Sequence, residues 1–98
     1  MSFGSVLRRL RRDRDLGIKQ LAPELGVNYT YLSKLENDKS IPSEDLIDRI
    51  AEYFHEDRDR LYIAADKIPT TVLDALKRNP DQVLKYLRSL EKDDTAAD

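Results

Sequence analysis

The sequence predicts an all-α protein made of a compact bundle of five helices followed by two short C-terminal helices. Two observations predict this class. Apolar residues recur at helical spacing in successive segments, with candidate caps and turn residues between them. No segment shows the apolar–polar alternation that is typical of a strand. We therefore expect a bundle over residues 1–66, a helical element over residues 67–90 and a disordered acidic tail over residues 91–98.

The first two helices are predicted from apolar periodicity and from their ends. The first covers residues 2–14, and its residues at positions i, i+3, i+4 and i+7 are Phe3, Val6, Leu7 and Leu10. Asp15 follows where a left-handed residue commonly ends a helix, a conformation that Asp tolerates. The second helix covers residues 18–25. It is expected to be short or distorted, because Pro23 removes a backbone hydrogen bond and crowds the preceding turn.

The next three helices are predicted from caps and buried stripes. Asn28 caps the third helix, which ends near Glu36 and precedes a loop over residues 37–42. Ser43 caps the fourth helix, and a fifth covers residues 57–65. The predicted buried residues are Leu46, Ile47, Ile50, Ala51 and Phe54 in the fourth helix and Leu61 and Tyr62 in the fifth.

The residues after Lys67 form a predicted dimerisation element. A short helix begins after Pro69, and Asn79 with Pro80 supplies an N-cap and a first-turn proline for the last helix. The apolar residues of these two helices that lie outside the five-helix core are Leu73, Leu76, Val83, Leu84, Leu87 and Leu90. They either fold back on the core or form an interface between two copies. Dimerisation is favoured, because two helices cannot bury two apolar stripes by themselves.

The apolar spacing in residues 18–37 predicts two short helices joined by a tight turn at Gly26. The apolar residues that pack these helices together are Leu21, Ala22, Leu25, Val27, Leu32 and Leu35. This packing leaves an outward face that consists of Tyr29, Thr30, Ser33 and Lys34. A short helix that is braced by a partner and carries small and polar side chains outward fits the DNA major groove. We therefore interpret the stretch as a DNA-binding helix-turn-helix.

The stretch from Leu10 to Pro42 resembles the Cro/repressor-type helix-turn-helix family, also called the XRE family. The matching residues are Leu10, Arg11, Leu16, Leu21, Ala22, Leu25, Gly26 and Val27, followed by the run from Tyr31 to Asn37. With the start of the fourth helix, the resemblance extends over residues 3–65. It implies a lambda-repressor-like five-helix bundle that binds operator DNA, usually as a dimer. Most members are transcriptional repressors, and some are antitoxins or controllers of restriction systems.

Three positions depart from the family pattern. Ile18 stands where many relatives have a glutamine that contacts the DNA backbone, so that contact is expected to be absent here. Asp38 occupies a position where glycine is common, which predicts a slightly strained loop after the third helix. Pro23 replaces a helix former. None of these changes removes the predicted base-reading face.

Nine residues are predicted to contact DNA. Base edges are assigned to Tyr29, Thr30, Ser33 and Lys34, whose donors and carbon surfaces match groups in the major groove. Phosphates are assigned to Lys19, Asn28, Tyr31, Asn37 and Lys39. The alternatives are a solvated helix face for the first group, capping and turn roles for Asn28 and Asn37, and partial burial for the Tyr31 ring.

The resemblance also implies an ion pair between Arg11 on the first helix and Glu36 at the end of the third. We prefer an architectural role for this pair over a role in DNA contact. The first helix carries four other arginines, which are Arg8, Arg9, Arg12 and Arg14. Arginines in such a pattern more often form a solvated face than a nucleic-acid-binding patch, and we expect only some of them to face DNA.

The charge of the chain is divided between its two parts. Residues 1–40 hold 8 Lys/Arg and 5 Asp/Glu, a net +3, whereas residues 41–98 hold 9 Lys/Arg and 14 Asp/Glu, a net −5. The part with a net positive charge is thus the one that carries the candidate motif. The acidic part is expected to repel DNA and to keep non-specific binding weak.

The composition argues against other classes of protein. The chain has no cysteine, so neither a disulfide framework nor a thiolate metal site is predicted, and the single histidine, His55, is expected to be structural. Because there is no nucleophile elbow and no phosphate-binding glycine loop, we predict no enzyme activity, cofactor or metal. No apolar run approaches the roughly 20 residues that cross a bilayer. We also find no signal peptide, and we expect a cytoplasmic protein without membrane association.

Two functions follow from these observations. The first is a sequence-specific transcriptional regulator, most simply a repressor that binds a palindromic operator in double-stranded DNA as a homodimer. The second is an antitoxin or adaptor whose acidic C-terminal half binds a protein partner. The second is motivated by the net charge of −5 and the leucine stripe after residue 41.

Overall fold

The computed structural model describes the backbone of residues 2–97 and the side chains of residues 2–91. This part of the chain consists of helices joined by turns and loops, which confirms the all-α prediction. In chain order the helices are α1 (Phe3–Asp13), α2 (Ile18–Glu24), α3 (Tyr29–Glu36), α4 (Glu44–Phe54), α5 (Arg58–Ala64), α6 (Thr70–Arg78) and α7 (Pro80–Ala97). The chain divides into two compact units, residues 1–67 and residues 68–98.

The core of the first unit consists of the apolar stripes predicted from the sequence. Helix α1 packs on α3 and α5, α2 packs on α3, and α4 packs on α5. The predicted core residues of these helices are buried, from Phe3 on α1 to Tyr62 on α5. Val27, in the turn between α2 and α3, is partly buried against them. Burying one leucine-sized side chain stabilises a fold by about 1.5–3 kcal/mol, so these stripes supply the main favourable energy of the bundle.

Side-chain caps begin four of the five helices in this unit. Ser2, Asn28, Ser43 and Asp57 each accept a hydrogen bond from a backbone N–H of the first turn at 2.8–3.2 Å. Such bonds satisfy donors that the helix itself leaves without a partner. Helix α2 begins at Gly17, which has no side chain. There the backbone N–H of Gly17 donates to Oε1 of Gln20 at 2.8 Å.

All five helices of this unit end through a left-handed residue. These residues have φ angles of 54–72° and are Asp15, Gly26, Asp38, His55 and Asp66. In each case the next N–H donates to a carbonyl five residues earlier, at 3.2 Å from Leu16 to Arg11 and at 3.0 Å from Val27 to Ala22. The left-handed conformation predicted for Asp15 is confirmed, and Asp38 adopts the same conformation where the family commonly has glycine.

Pro23 shortens α2 without breaking it. The helix has seven residues and contains Pro23 in its last turn. Leu25 N still donates to Leu21 O at 3.2 Å, although Leu25 itself lies in the turn and not in the helix. The prediction of a short second helix is thus confirmed.

Gly4 allows α1 to approach α3 closely. A Cβ atom placed on Gly4 would lie 2.5 Å from the carbonyl oxygen of Glu36 and 2.6 Å from that of Leu35. The backbone N–H of Gly4 donates to Oδ1 of Asp38 at 2.9 Å. Hydrogen bonding by the Ser2 hydroxyl and, to a smaller extent, by the N–H of Gly4 lowers the pKa of the Asp38 carboxyl. The start of α1 is therefore fixed directly against the end of α3.

The second unit contains α6 and α7, which are joined at Asn79. Pro80 is the first residue of α7, as predicted, where its missing N–H costs no helical hydrogen bond. Among the predicted interface residues, Leu73, Leu76 and Val83 are half-buried, whereas Leu84, Leu87 and Leu90 are 37–47% exposed. The single chain therefore leaves part of this apolar stripe uncovered.

Helix α7 is longer than predicted. It continues to Ala97, whereas the sequence predicted a short helix that ends near Leu90 and a disordered tail after it. Residues 81–97 contain neither glycine nor proline, so no residue of the stretch breaks the helix. The side chains of residues 92–98, which make up most of the predicted acidic tail, lie outside the described residues.

We expect Gly4→Ala to destabilise the first unit by about 1–3 kcal/mol, because the added carbon would force α1 away from two carbonyl oxygens of α3. Unfolding in urea measures this loss. Gly17→Ala is the matched control, since a Cβ there meets only Oε1 of Gln20 at an ordinary 3.5 Å. Equal stability of the two variants would show that the close approach at Gly4 does not constrain the fold.

Candidate nucleic-acid interface

The turn between α2 and α3 is held by its backbone and by α4. Gly26 has a φ of +72°, which glycine adopts without strain. Nη1 of Arg49, on α4, donates to the carbonyl oxygen of Leu25 at 2.7 Å. A Cβ on Gly26 would lie 2.8 Å from the same Nη1 atom. The absence of a side chain at Gly26 therefore leaves room for Arg49 as well as allowing the turn. Sequence analysis did not identify Arg49.

An open groove of about 760 Å³ lies between the beginning of α2 and the outward face of α3. Seven of the nine residues predicted to contact DNA line it, namely Lys19, Tyr29, Thr30, Ser33, Lys34, Asn37 and Lys39. Arg11, Gly17 and Ile18 complete the lining. The helix-turn-helix thus brings the predicted residues of two helices and the following loop onto one concave surface.

The residues predicted to read bases are accessible. Tyr29, Thr30 and Lys34 are exposed, and Ser33 is half-buried. The ammonium nitrogen of Lys19 lies 5.1 Å from the centre of the Tyr29 ring, within the range of a cation–π interaction. This contact links the first turn of α2 to the first turn of α3 across the groove.

The residues predicted to bind phosphate fall into two groups. Lys19 and Lys39 are exposed in the groove. Asn28 caps α3 through its bond from Tyr31 N at 2.8 Å, and neither residue lines the groove. Asn37 donates from Nδ2 to the carbonyl of Ser33 at 2.9 Å. The capping and turn roles considered for both asparagines are present, and their role at phosphates stays a prediction.

The Tyr31 side chain is placed between the core and the loop after α3. Its ring is half-buried against the hydrophobic core. Its hydroxyl donates to the carbonyl oxygen of Ile41 at 3.5 Å, a long bond. Partial burial, the alternative considered for this residue, is therefore present, and phosphate contact by the hydroxyl stays a prediction.

Arg11 and Glu36 form a two-point ion pair between α1 and α3. Nε of Arg11 lies 2.6 Å from Oε2 of Glu36, and Nη2 lies 2.8 Å from Oε1. The side chains are 12% and 1% exposed. Hydrogen bonding to Glu36 raises the pKa of the Arg11 guanidinium above its ordinary value. Nη1 of Arg11 also donates to the carbonyl of Leu16 at 2.8 Å, so one side chain joins α1, the turn after it and α3.

Two of the arginines expected on a solvated face also make contacts within the protein. Nη2 of Arg8 donates to the Asn37 side chain at 2.9 Å and to the Glu36 carbonyl at 3.3 Å. Nη2 of Arg14 donates to the carbonyl of Phe54, at the end of α4, at 3.0 Å. The Arg14 guanidinium also lies 5.0 Å from the centre of the Phe54 ring. Both side chains reach helix ends that only the folded chain brings near α1.

The groove has the electrostatic character of an anion-binding surface. Four of its lining residues are cationic, of which Arg11 is already paired with Glu36. None of the described residues that line the groove is acidic, although the chain holds 19 Asp/Glu. Hydroxyl and amide groups of Thr30, Ser33 and Asn37 add neutral hydrogen-bonding groups. A surface with this set of groups is suited to phosphates and base edges.

Two other kinds of site were sought in the described part of the chain. It contains no group of three or more His, Cys, Asp or Glu side chains arranged to hold a metal ion. In the same part of the chain, no helix combines the length and apolar character that crossing a membrane requires.

The chain has relatives among known proteins. The family of helix-turn-helix domains matches it over residues 4–67, which contain α1 to α5. The chain is 42% identical over 52 residues to the HTH-type transcriptional repressor RghR of Bacillus subtilis (strain 168). The match covers 52% of this chain and 38% of that protein. It is 35% identical over 49 residues to the ImmF control region 10 kDa protein of Bacillus phage phi105, covering 50% of this chain and 54% of that protein. The chain thus spans about half or less of the length of these relatives.

A solved structure resembles the chain over most of its length. It is that of the clp gene regulator ClgR from Corynebacterium glutamicum, with a TM-score of 0.57 and 25% sequence identity. The similarity covers 86% of this chain and 87% of that one.

We expect Arg11→Ala to destabilise the first unit by about 3 kcal/mol, because it leaves the Glu36 carboxylate buried without its two-point partner. Adding Glu36→Gln to the same chain should recover part of this loss, since the uncompensated charge is then removed. Urea unfolding of the single and double variants measures both effects. The control is Arg12→Ala, an exposed arginine of the same helix, which should change stability by less than about 0.5 kcal/mol. Equal losses at Arg11 and Arg12 would contradict the role of the ion pair.

Proposed function

We propose that this chain, which belongs to the XRE-type helix-turn-helix family of DNA-binding transcriptional regulators, is a repressor that binds a palindromic operator as a homodimer. The observation that carries the proposal is the groove, where predicted base-reading and phosphate-binding residues line one cationic surface. Occupying an operator blocks polymerase, which is the simplest way for such a protein to act. We infer a role in binding and not in catalysis, and a cytoplasmic location where it meets its DNA.

Base reading is assigned to the outward face of α3. Lys34 donates from its ammonium group to O6 or N7 of guanine, and Thr30 offers either a hydroxyl or a methyl group. The Tyr29 ring packs on thymine methyl groups. Packing on α2 and α1 holds α3 in place. Little conformational freedom of its backbone then has to be lost on binding.

Phosphate binding is assigned to the cations at the edges of the groove. Lys19 and Lys39 are exposed, and each neutralises one phosphate in the proposed complex. Released counterions make such binding strongly dependent on salt. The acidic part of the chain after residue 40 opposes non-specific attraction to DNA, so the basic groove is the favoured contact surface.

Dimerisation is assigned to the second unit. Leu84, Leu87 and Leu90 are 37–47% exposed along α7. A second copy presents the same stripe, and a twofold interface is self-complementary. In the resulting dimer the two α3 helices contact half-sites about 34 Å apart, which is one turn of DNA. A palindromic operator matches this symmetry.

A second candidate function uses the same C-terminal surface. An antitoxin or adaptor would bind a basic protein partner through the acidic second half and the exposed leucines. A complex with such a partner in place of a homodimer would favour this candidate. The two functions are compatible, because a protein that binds a partner can also repress transcription.

We expect Lys34→Ala to reduce discrimination at one base pair of the operator by about 1–3 kcal/mol, because a donor to the base edge is lost. Affinities for the operator and for single-base variants of it measure this change. Lys39→Ala should instead weaken binding to all sequences equally, since it removes a phosphate contact. The slope of the logarithm of the binding constant against the logarithm of the salt concentration should fall in magnitude by about 1. The control is Arg60→Ala, which removes one exposed positive charge on α5, outside the groove. If Lys34→Ala binds every sequence as the parent does, Lys34 does not read bases.

We expect Leu87→Asp to yield a monomer that binds a half-site weakly, because a charge in an apolar interface is costly to bury. Sizing with light scattering gives the mass, and titration of full and half operators gives the affinities. Gln82→Asp adds the same charge at an exposed position of α7 and should leave the dimer intact. An unchanged mass for Leu87→Asp would rule out this interface.

A further inference from the structure

Ile18 lies in the groove although it has no polar group to offer DNA. It is the first residue of α2, half-buried, and packs partly against the hydrophobic core. The rest of its side chain lines the same groove as Thr30 and Lys34. Ile18 is not among the residues predicted to contact DNA, because it replaces a glutamine that binds the DNA backbone in many relatives.

The surroundings of Ile18 make this edge of the groove a carbon surface. Gly17, which precedes it, has no side chain and also lines the groove. Oε1 of Gln20, the nearest amide side chain along α2, accepts the N–H of Gly17 at 2.8 Å, and Gln20 does not line the groove. The Lys19 ammonium group is turned towards the Tyr29 ring, at 5.1 Å from its centre. The side chain of Ile18 therefore offers only carbon atoms to the groove.

A duplex in this groove covers Ile18 with one of two kinds of carbon atom, those of the deoxyribose or those of a base. In the major groove the methyl group at C5 of a pyrimidine is the apolar group that distinguishes one base from another. Contact with that methyl group removes apolar surface of both Ile18 and the base from water, which favours binding. Thr30 and Lys34, which are assigned to base edges, and Lys19, which is assigned to a phosphate, line the same groove as Ile18. Of the two contacts, the one with a base is the one that adds a sequence preference.

We infer that Ile18 is a specificity-determining residue that contacts the 5-methyl group of a pyrimidine in the operator. The inference rests on the proposed function and adds one methyl contact to those assigned above to Tyr29 and Thr30. The methyl group belongs either to thymine or to 5-methylcytosine. Ile18 contacts this methyl group, whereas Thr30 and Tyr29 contact other base pairs of the operator.

The test uses a duplex selected from a random pool with the full-length protein. Each thymine of the selected site is replaced singly by uracil, which removes only the methyl group, and each cytosine by 5-methylcytosine, which adds it. At the position that Ile18 contacts, we expect the methylated base to bind about three- to fivefold more tightly than its unmethylated counterpart. A loss with uracil assigns the contact to thymine, and a gain with 5-methylcytosine assigns it to that base.

Variants then show which residue reads the methyl group. Ile18→Ala should bring the affinity ratio at that position close to one. Thr30→Ser, which keeps the hydroxyl and removes the methyl group, should leave the ratio unchanged. Ile63→Ala makes the same change as Ile18→Ala at an exposed position of α5, outside the groove, and should also leave it unchanged. Each ratio compares two duplexes with one protein sample, so partial unfolding of a variant does not alter it.

Two negative outcomes are distinct. If the protein selects no sequence and binds all duplexes alike, the proposed function fails. If it selects a site but the methyl ratios are the same in the parent and in Ile18→Ala, only the role of Ile18 fails, and contact with deoxyribose replaces it. A ratio that survives Ile18→Ala and is lost in Thr30→Ser would likewise overturn the inference and assign the methyl group to Thr30.

Discussion

The position of α3 depends on a buried carboxylate. Glu36 is the last residue of α3, where the helix dipole disfavours negative charge, and its side chain is only 1% exposed. Arg11 compensates this charge with two hydrogen bonds, and Arg8 adds a longer one. These bonds form only when α1 and α3 lie in one relative position, which Gly4 permits through its close approach to the end of α3. A buried charge that would be costly alone thus fixes the position of the helix that carries the predicted base-reading face.

The opposite end of α3 is constrained by different means. Asn28 caps its first turn, and Gly26 forms the turn from α2 without strain. Arg49 reaches that turn from α4. Polar side chains at both ends of α3 are therefore used to position the helix, whereas the exposed residues between them, such as Lys34, remain directed into the groove. This division explains how a helix of eight residues is held rigidly while one face stays available to a ligand.

The two units differ in how far each buries its own apolar residues. The first unit encloses the stripes of five helices, and the leucines and isoleucines of its core are at most 8% exposed. In the second unit, α6 and α7 contain no fully buried side chain among their described residues, and several leucines of α7 are exposed. Apolar surface of this kind is a liability unless another surface covers it. The basic groove and the apolar stripe thus lie in different units.

The sequence by itself determined the helix order, the core stripes of α1 to α5 and most of the groove lining. Helical periodicity, caps at residues such as Asn28 and the left-handed end at Asp15 act over a few neighbouring residues, so a linear pattern reports them. Only the tertiary structure decided the roles of Arg8, Arg14 and Arg49, which bond to residues 24 to 40 positions away in the chain. Side chains of this length reach any surface that packing brings near them. Their partners follow from how the helices cross, and no local pattern encodes that.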